Sequence, residues 1–165
     1  MSLINPRQTV LVSCRANLRK RFSEHEEVKD NIITLDWHMQ TSFQPMLYAI
    51  SVGKTRYSLE LIKKSKVFVV NFMPANLKDK VLFCGRNSGE AIDKFSASGL
   101  HKEEANSIDC PRVVEAVGYL ECEVISEVET GDHVIFIGKV IKSHLKKDAK
   151  RVFHITGDSF TTTLE

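Results

Sequence analysis

Several features that would define a function class are missing from this chain of 165 residues. Paired cysteines are the first. Cys14, Cys84, Cys110 and Cys122 include no Cys-x-x-Cys, and no two histidines have zinc-finger spacing. That argues against a disulfide framework or a structural metal and for reduced thiols in a cytoplasmic setting. Long apolar runs are also missing. No segment approaches the roughly 20 apolar residues of a bilayer-spanning helix. The amino end lacks the basic stretch and apolar core of a secretory signal. Neither a membrane nor an export route is expected. No Gly-x-Gly-x-x-Gly occurs, so a dinucleotide-binding Rossmann unit is not supported. Charge of one sign is scarce too: 23 Lys and Arg stand against 21 Asp and Glu, a net of +2. The basic pieces, Arg19-Lys20-Arg21 and Lys146-Lys147, are short and read as solvated loops. A nucleic-acid binder concentrates its basic residues on one face, so no nucleic-acid partner is expected.

What is present is a series of short apolar segments. The length suits one domain, residues 1–165, with a core of its own. Thr9 to Cys14 reads as a first strand, and the charged stretch Asn17 to Asp30 as a loop or hairpin. Ile32 to Trp37 and Met46 to Val52 are two further strands, separated by polar residues and Pro45. Val67 to Phe72 is apolar throughout, as a strand covered on both faces would be. Asn76 can cap a short helix carrying Leu77, Val81 and Leu82. Gly85 to Ser88 reads as a turn, Glu90 to Ser96 as a second short helix, and Gly99 to Arg112 as a polar surface excursion. Gly118 to Val128 alternates, with Leu120, Cys122 and Val124 on one side. Tyr119, Glu121, Glu123 and Ile125 fall on the other, wet side. Thr130-Gly131-Asp132 turns the chain into a partner strand, Val134 to Ile141, and Val152 to Ile155 adds a last one. Many strands, few short helices and no long crossover helix predict a mainly β, barrel-like fold.

The stretch from Asn31 to Ser58 carries the chemistry. Its second strand ends at Gly53, followed by Lys54, Arg56 and Ser58 and then an amphipathic run from Leu59. Ser58 stands where a helix N-cap belongs. Glu60 should face water, and Lys63 and Lys64 fall at the carboxyl end, where the dipole favours cations. A strand, a basic glycine turn and a helix start are the parts of a phosphate site, because helix amino ends carry free N–H groups and partial positive charge. Arg56 offers a planar fork of donors and Lys54 a point charge. Read alone, the same residues make a helix cap with two solvated cations. Thr34 to Trp37 alone would be an ordinary strand with a buried Trp.

The ordered set of motifs resembles the flavin reductase-like, FMN-binding split-barrel family. It comprises Asn31-x-x-Thr34-x-x-Trp37, Pro45, Ser51-Val52-x-x-x-Arg56-Tyr57-Ser58, Cys84-Gly85-x-x-Ser88-Gly89, Asp93-Lys94-Phe95 and Gly131-Asp132-His133. Together they span roughly Pro6 to Val140. The resemblance implies a split β-barrel with a few short helices, usually a homodimer with flavin near the subunit interface. It implies FMN as cofactor and NAD(P)H as transient reductant. On that reading Thr34, Leu35, Asp36 and Trp37 meet the flavin ring, largely through main chain. Ser51, Val52, Gly53, Lys54, Arg56 and Ser58 meet the phosphate end. Cys84, Gly85 and Ser88 add a small-residue wall, and Lys94 and Phe95 close over the cofactor. His133 would lie beside flavin and nicotinamide as the residue that serves catalysis. Asp36 departs from the small or neutral residue commoner in the family. Its carboxylate could oppose an anionic reduced flavin, accept from the ring imide, or point to solvent. Cys84 has no resolving cysteine nearby in sequence, so packing or flavin contact is expected of it rather than thiol redox chemistry. No metal site is expected. The implied activity is a flavin reductase passing electrons from nicotinamide through flavin to free flavin, ferric iron, oxygen or a partner protein. A non-enzymatic FMN-binding electron carrier or flavin-storage protein is the alternative.

Overall fold

The computed structural model describes residues 3–19, 25–146 and 148–163. Lys20, Arg21 and Lys147 of the basic pieces lie outside the described residues. The fold is mainly β. The main sheet has seven strands: β2 (Val10–Arg19), β3 (Glu26–Leu35), β4 (His38–Phe43), β5 (Met46–Gly53), β6 (Val67–Phe72), β9 (Gly118–Thr130) and β10 (His133–Leu145). They run in the order β3-β2-β6-β9-β10-β5-β4. The two edge strands, β3 and β4, are consecutive in sequence, so the sheet must curl to bring them together. Asp36 and Trp37 bridge them, and the Ser51 N–H donates to the Trp37 carbonyl at 2.9 Å. Val10, Val12, Ile33, Ile50, Val52, Phe68, Val70, Leu120, Val134 and Phe136 all meet in one interior cluster, as in a barrel. Helix α1 (Tyr57–Ser65) inserts Leu61 and Ile62 into the same cluster.

A second core lies outside the barrel. Leu11 and Ile32 point outward into it and meet Val81 and Cys84 of α2 (Lys78–Arg86) and Phe95 of α3 (Lys94–Ser98). Strand β2 is therefore buried on both faces from Val10 to Cys14. That is why its apolar run does not alternate. Short strands complete the chain. β1 (Arg7–Gln8), β11 (Phe153–Thr156) and β12 (Ser159–Thr161) form a three-stranded sheet, and β7 (Lys102–Glu104) pairs with β8 (Pro111–Val113).

β2 and β3 stay paired out to Arg19 and Glu26, in line with the hairpin alternative for Asn17 to Asp30. Several other sequence expectations need correction. The polar stretch between the two expected strands is itself strand β4, an edge strand with much of its length exposed, so it needs no apolar alternation. Ser58 is not the cap of α1. Arg56 holds that position, because the turn in which the Arg56 N–H donates to the Gly53 carbonyl starts the helix earlier. Ser58 instead turns inward and is buried. Glu60 is exposed, as expected. Gly85 belongs to the last turn of α2. The helix expected from Glu90 begins at Lys94, because the Asp93 carboxylate accepts from the Phe95 and Ser96 N–H groups at 3.0 and 3.3 Å. Tyr119 and Glu121 are buried, not wet. The 99–112 excursion folds back over them, and the Glu121 carboxylate accepts from the N–H groups of Asn106 and Ser107 at 3.0 and 2.8 Å. No helix among the described residues is long and apolar enough to cross a membrane.

Candidate functional site

The seam between barrel and outer helices holds a cleft of about 310 Å³. The end of β3, the β5–α1 turn, the end of α2, the start of α3 and the start of β10 all contribute to it. Of the residues singled out from sequence, Thr34, Leu35, Asp36, Trp37, Ser51, Gly53, Arg56, Ser58, Cys84, Gly85, Ser88, Lys94 and His133 line this one space. Three do not. Val52 is fully buried in the barrel core, and Phe95 packs in the second core. Lys54 stands outside the cleft, its ammonium 3.0 Å from Glu129.

Lys94 is the electrostatic centre of the cleft. It is 4% exposed, and its ammonium donates to the carbonyls of Ile32 at 2.8 Å and Cys84 at 2.7 Å. Burial pulls its pKa below the ordinary lysine range. An ammonium has three donors, and these bonds use two. Among the described residues no carboxylate pairs with it, so a buried cation is left without a counter-ion, a costly state unless an anion joins it. Asn31 lies nearby in the same cleft, 2% exposed. Its amide donates to Ser58 Oγ at 2.8 Å, while its Oδ1 has no partner. A buried acceptor of this kind calls for a donor from whatever fills the cleft. Arg56 adds an exposed guanidinium at the head of α1.

The other wall is aromatic. Trp37 is 46% exposed rather than buried, and its ring lies 4.6 Å from that of His133 at 36°. His133 Nδ1 is 2.7 Å from Asp132 Oδ1. That bond holds the Asp132 carboxyl below its usual range, so Asp132 accepts and Nδ1 carries the proton. In the neutral ring Nε2 is then free to accept. The carboxylate of Asp36, at the rim of the cleft, has two partners. Thr9 Oγ1 donates to one oxygen at 2.7 Å, and His154 Nδ1 lies 2.7 Å from the other. These two contacts tie the β3–β4 link to the start of β2 and to the β11–β12 hairpin. Burial pushes the Cys84 thiol up, so it stays protonated and unreactive. Helix α2 lies close on β3: Thr34 Oγ1 donates to the Val81 carbonyl at 2.7 Å, and a Cβ on Gly85 would meet Thr34 at 3.2 Å.

A family model described as flavin reductase like domain matches residues 1–162. The chain belongs to the flavin reductase-like domain family. An uncharacterized protein of Archaeoglobus fulgidus is 36% identical over 113 residues, which cover 68% of this chain and 64% of that protein. Several solved structures share the fold. An FMN-binding protein from Thermus thermophilus with bound p-hydroxybenzaldehyde superposes with a TM-score of 0.84 at 21% identity, over 98% of this chain and 89% of that one. The NADH:FAD oxidoreductase of Streptomyces globisporus gives 0.82 at 20% identity, over 98% and 88%. The family's split-barrel architecture is the one described above, a curled sheet with helices on one flank.

Sequence reasoning assigned no site role to Asn31, Tyr57, Arg86 or Gly89, all of which line the cleft. Asn31 and Gly89 were visible as motif letters, and a buried Asn at the inward end of a strand is the signal that would have found the first. Their mutual contact is not legible. A Cβ on Gly89 would fall 2.0 Å from Asn31 Oδ1 and 2.9 Å from its Nδ2. Gly89→Ala should therefore push Asn31 off Ser58 and cost about 1–3 kcal/mol of stability, the usual range for overpacking. Thermal unfolding of the two proteins checks this; an unchanged midpoint would mean that the 88–91 turn simply moves aside.

Proposed function

We propose that the cleft binds FMN and that the protein is an NAD(P)H-dependent flavin reductase. The observation that supports this best is the buried, carboxylate-free ammonium of Lys94 beside Arg56, Ser58 and the unpartnered Asn31 Oδ1. This donor set fits an anionic group with hydroxyls attached, which is what a ribityl phosphate is. Arg56 and the Ser58 end of α1 would hold the phosphate, with Lys94 supplying its remaining donor. Asn31 Oδ1 would accept from a hydroxyl. The main chain from Thr34 to Trp37 would face the polar edge of the ring, and the Trp37–His133 pair would bound it. When bound, a flavin takes a hydride from nicotinamide and passes electrons on. The chain's own part is to orient, to neutralise the phosphate and to leave a face open. A second cavity of about 360 Å³ lies across the Trp37–His133 pair, lined also by His38, Met39 and Ile135, and suits the nicotinamide. The acceptor is free flavin, ferric iron, oxygen or a partner protein.

A homodimer belongs to the same reading. Trp37, Met39 and Phe43, at and along β4, are large apolar side chains left exposed, as are Ile125 and Val128 on β9. Apolar groups in such numbers are what a partner surface covers.

Arg56→Ala should weaken FMN by about ten- to a hundredfold, because charge-assisted hydrogen bonds are worth roughly 1.5–3 kcal/mol. Riboflavin, which lacks the phosphate, should bind both proteins alike. Paired titrations decide it: equal loss for both ligands would remove Arg56 from the phosphate, and absence of FMN binding by folded protein would end the flavin reading. Anaerobic addition of NADH or NADPH should bleach the yellow protein, and His133→Ala should slow this by about two- to tenfold, the worth of one hydrogen bond. Persistent colour in the wild type would favour an electron carrier or storage role. Stopped-flow reduction of the variant at the wild-type rate would leave His133 a turn residue. Sedimentation at micromolar concentration should give a dimer; monomer alone, with flavin bound, would contradict the assembly.

A further inference from the structure

Asp36 is the only carboxylate among the described residues that line the cleft, where Arg56, Arg86 and Lys94 are the cations. It precedes Trp37, on the wall that would face the ring. Reduction of a flavin by two electrons and one proton adds one negative charge to the ring. A bare carboxylate beside it would oppose that charge.

Asp36 is not bare. His154 reaches it from β11, with Nδ1 2.7 Å from Asp36 Oδ2. The other ring nitrogen, Nε2, is 3.0 Å from the Gly157 carbonyl, in the turn between β11 and β12. A neutral imidazole has one donor and one acceptor, whereas an imidazolium has two donors. Here both nitrogens face oxygens that accept. Thr9 Oγ1 donates to Asp36 Oδ1 at 2.7 Å, so both carboxylate oxygens are acceptors as well. Both ring nitrogens therefore carry a proton, and the pair has no net charge. The two side chains are only 22% and 23% exposed, and a partly buried pair is screened less than a surface one. His38 also feels the Asp36 charge, but burial pulls its pKa below the ordinary histidine range. Its Nε2 lies 2.9 Å from the Gln8 carbonyl and its Nδ1 2.7 Å from the Tyr48 hydroxyl, the pattern of a neutral ring. Arg7, which faces His38, donates through Nε to the Ile4 carbonyl at 3.0 Å. Among the described residues, His154 is the one cation that pairs with Asp36.

We propose that His154 is a positioning residue for the redox state of the cleft: its imidazolium cancels the charge of Asp36, so that an anionic reduced flavin is retained there. The inference rests on the flavin reading and extends it. His154 is absent from the lining of the cleft and acts through Asp36. The β11–β12 hairpin thereby serves the chemistry by carrying the counter-charge to the rim. Without that charge the carboxylate would weaken the reduced cofactor and spare the oxidised one, whose ring is neutral.

The test compares wild type, His154→Gln and the Asp36→Asn/His154→Gln double variant, each titrated anaerobically with oxidised and with dithionite-reduced FMN. His154→Gln leaves the Asp36 charge uncompensated. It should weaken reduced FMN about five- to tenfold and keep oxidised FMN within twofold, the retained binding showing that it is folded. A tenfold selective loss lowers the two-electron midpoint potential of the bound flavin by about 30 mV, which spectroelectrochemistry reads independently. The double variant removes the carboxylate charge as well, so its ratio of affinities should return to within twofold of wild type. A purely structural contact predicts the reverse, since losing both partners repairs no packing. Nitrogen-15 NMR of histidine-labelled wild type without flavin should show both nitrogens of His154 protonated at pH 7. An unchanged ratio in His154→Gln, a double variant no better than the single one, or a neutral His154 ring would each overturn the inference and leave the flavin reading standing. The NMR result decides even where a variant fails to fold. Absence of FMN binding by folded wild type would overturn the flavin reading and this inference with it.

Discussion

The ammonium of Lys94 is the constraint on which the site depends. It bonds the carbonyls of Ile32 in β3 and Cys84 in α2, and so ties the outer helices to the barrel wall. Thr34 binding the Val81 carbonyl repeats that tie one turn away. Together they hold α2 close enough that only glycine fits at position 85 without pressing on Thr34. The cleft is the space between these fastenings and the head of α1, and the fastening itself supplies its buried charge. A lysine used as a structural clasp would normally be matched by a carboxylate. Here it is matched by carbonyls, which satisfy donors without cancelling the charge.

The barrel supplies the rigidity this arrangement needs. β2 and β6 are packed on both faces, and α1 is fixed by Leu61 and Ile62 in the barrel core. Arg56, Ser58 and Tyr57 therefore sit at the end of an anchored helix rather than on a loop. On the opposite side the β11–β12 hairpin fixes the orientation of the carboxylate at the rim, since His154 and Thr9 hold Asp36. Arg86, at the end of α2, pairs with Asp158 of the same hairpin. The hairpin thus braces both the β3 and α2 rims of the cleft.

Local pattern determined a good deal by itself. The strands at Met46, Val67 and Val134 and the helix after Gly53 follow from apolar periodicity and turn chemistry, which act over a few residues. The family follows from motif letters in a fixed order. Other features were decided only by tertiary structure, because they depend on what packs over a segment. Tyr119 and Glu121 look wet until the 99–112 excursion covers them and spends its N–H groups on the carboxylate. β4 reads as a linker because an edge strand has no second face to bury. Lys54 and Lys94 are alike in sequence, yet one pairs with Glu129 on the surface and the other is buried between two carbonyls. Asn31 and Gly89 are 58 positions apart, and only the fold brings the amide against a residue with no side chain. Sequence determines which groups can carry charge or hydrogen bonds. Whether each is solvated, paired or left waiting in a cleft depends on the distances that folding sets between segments remote in the chain.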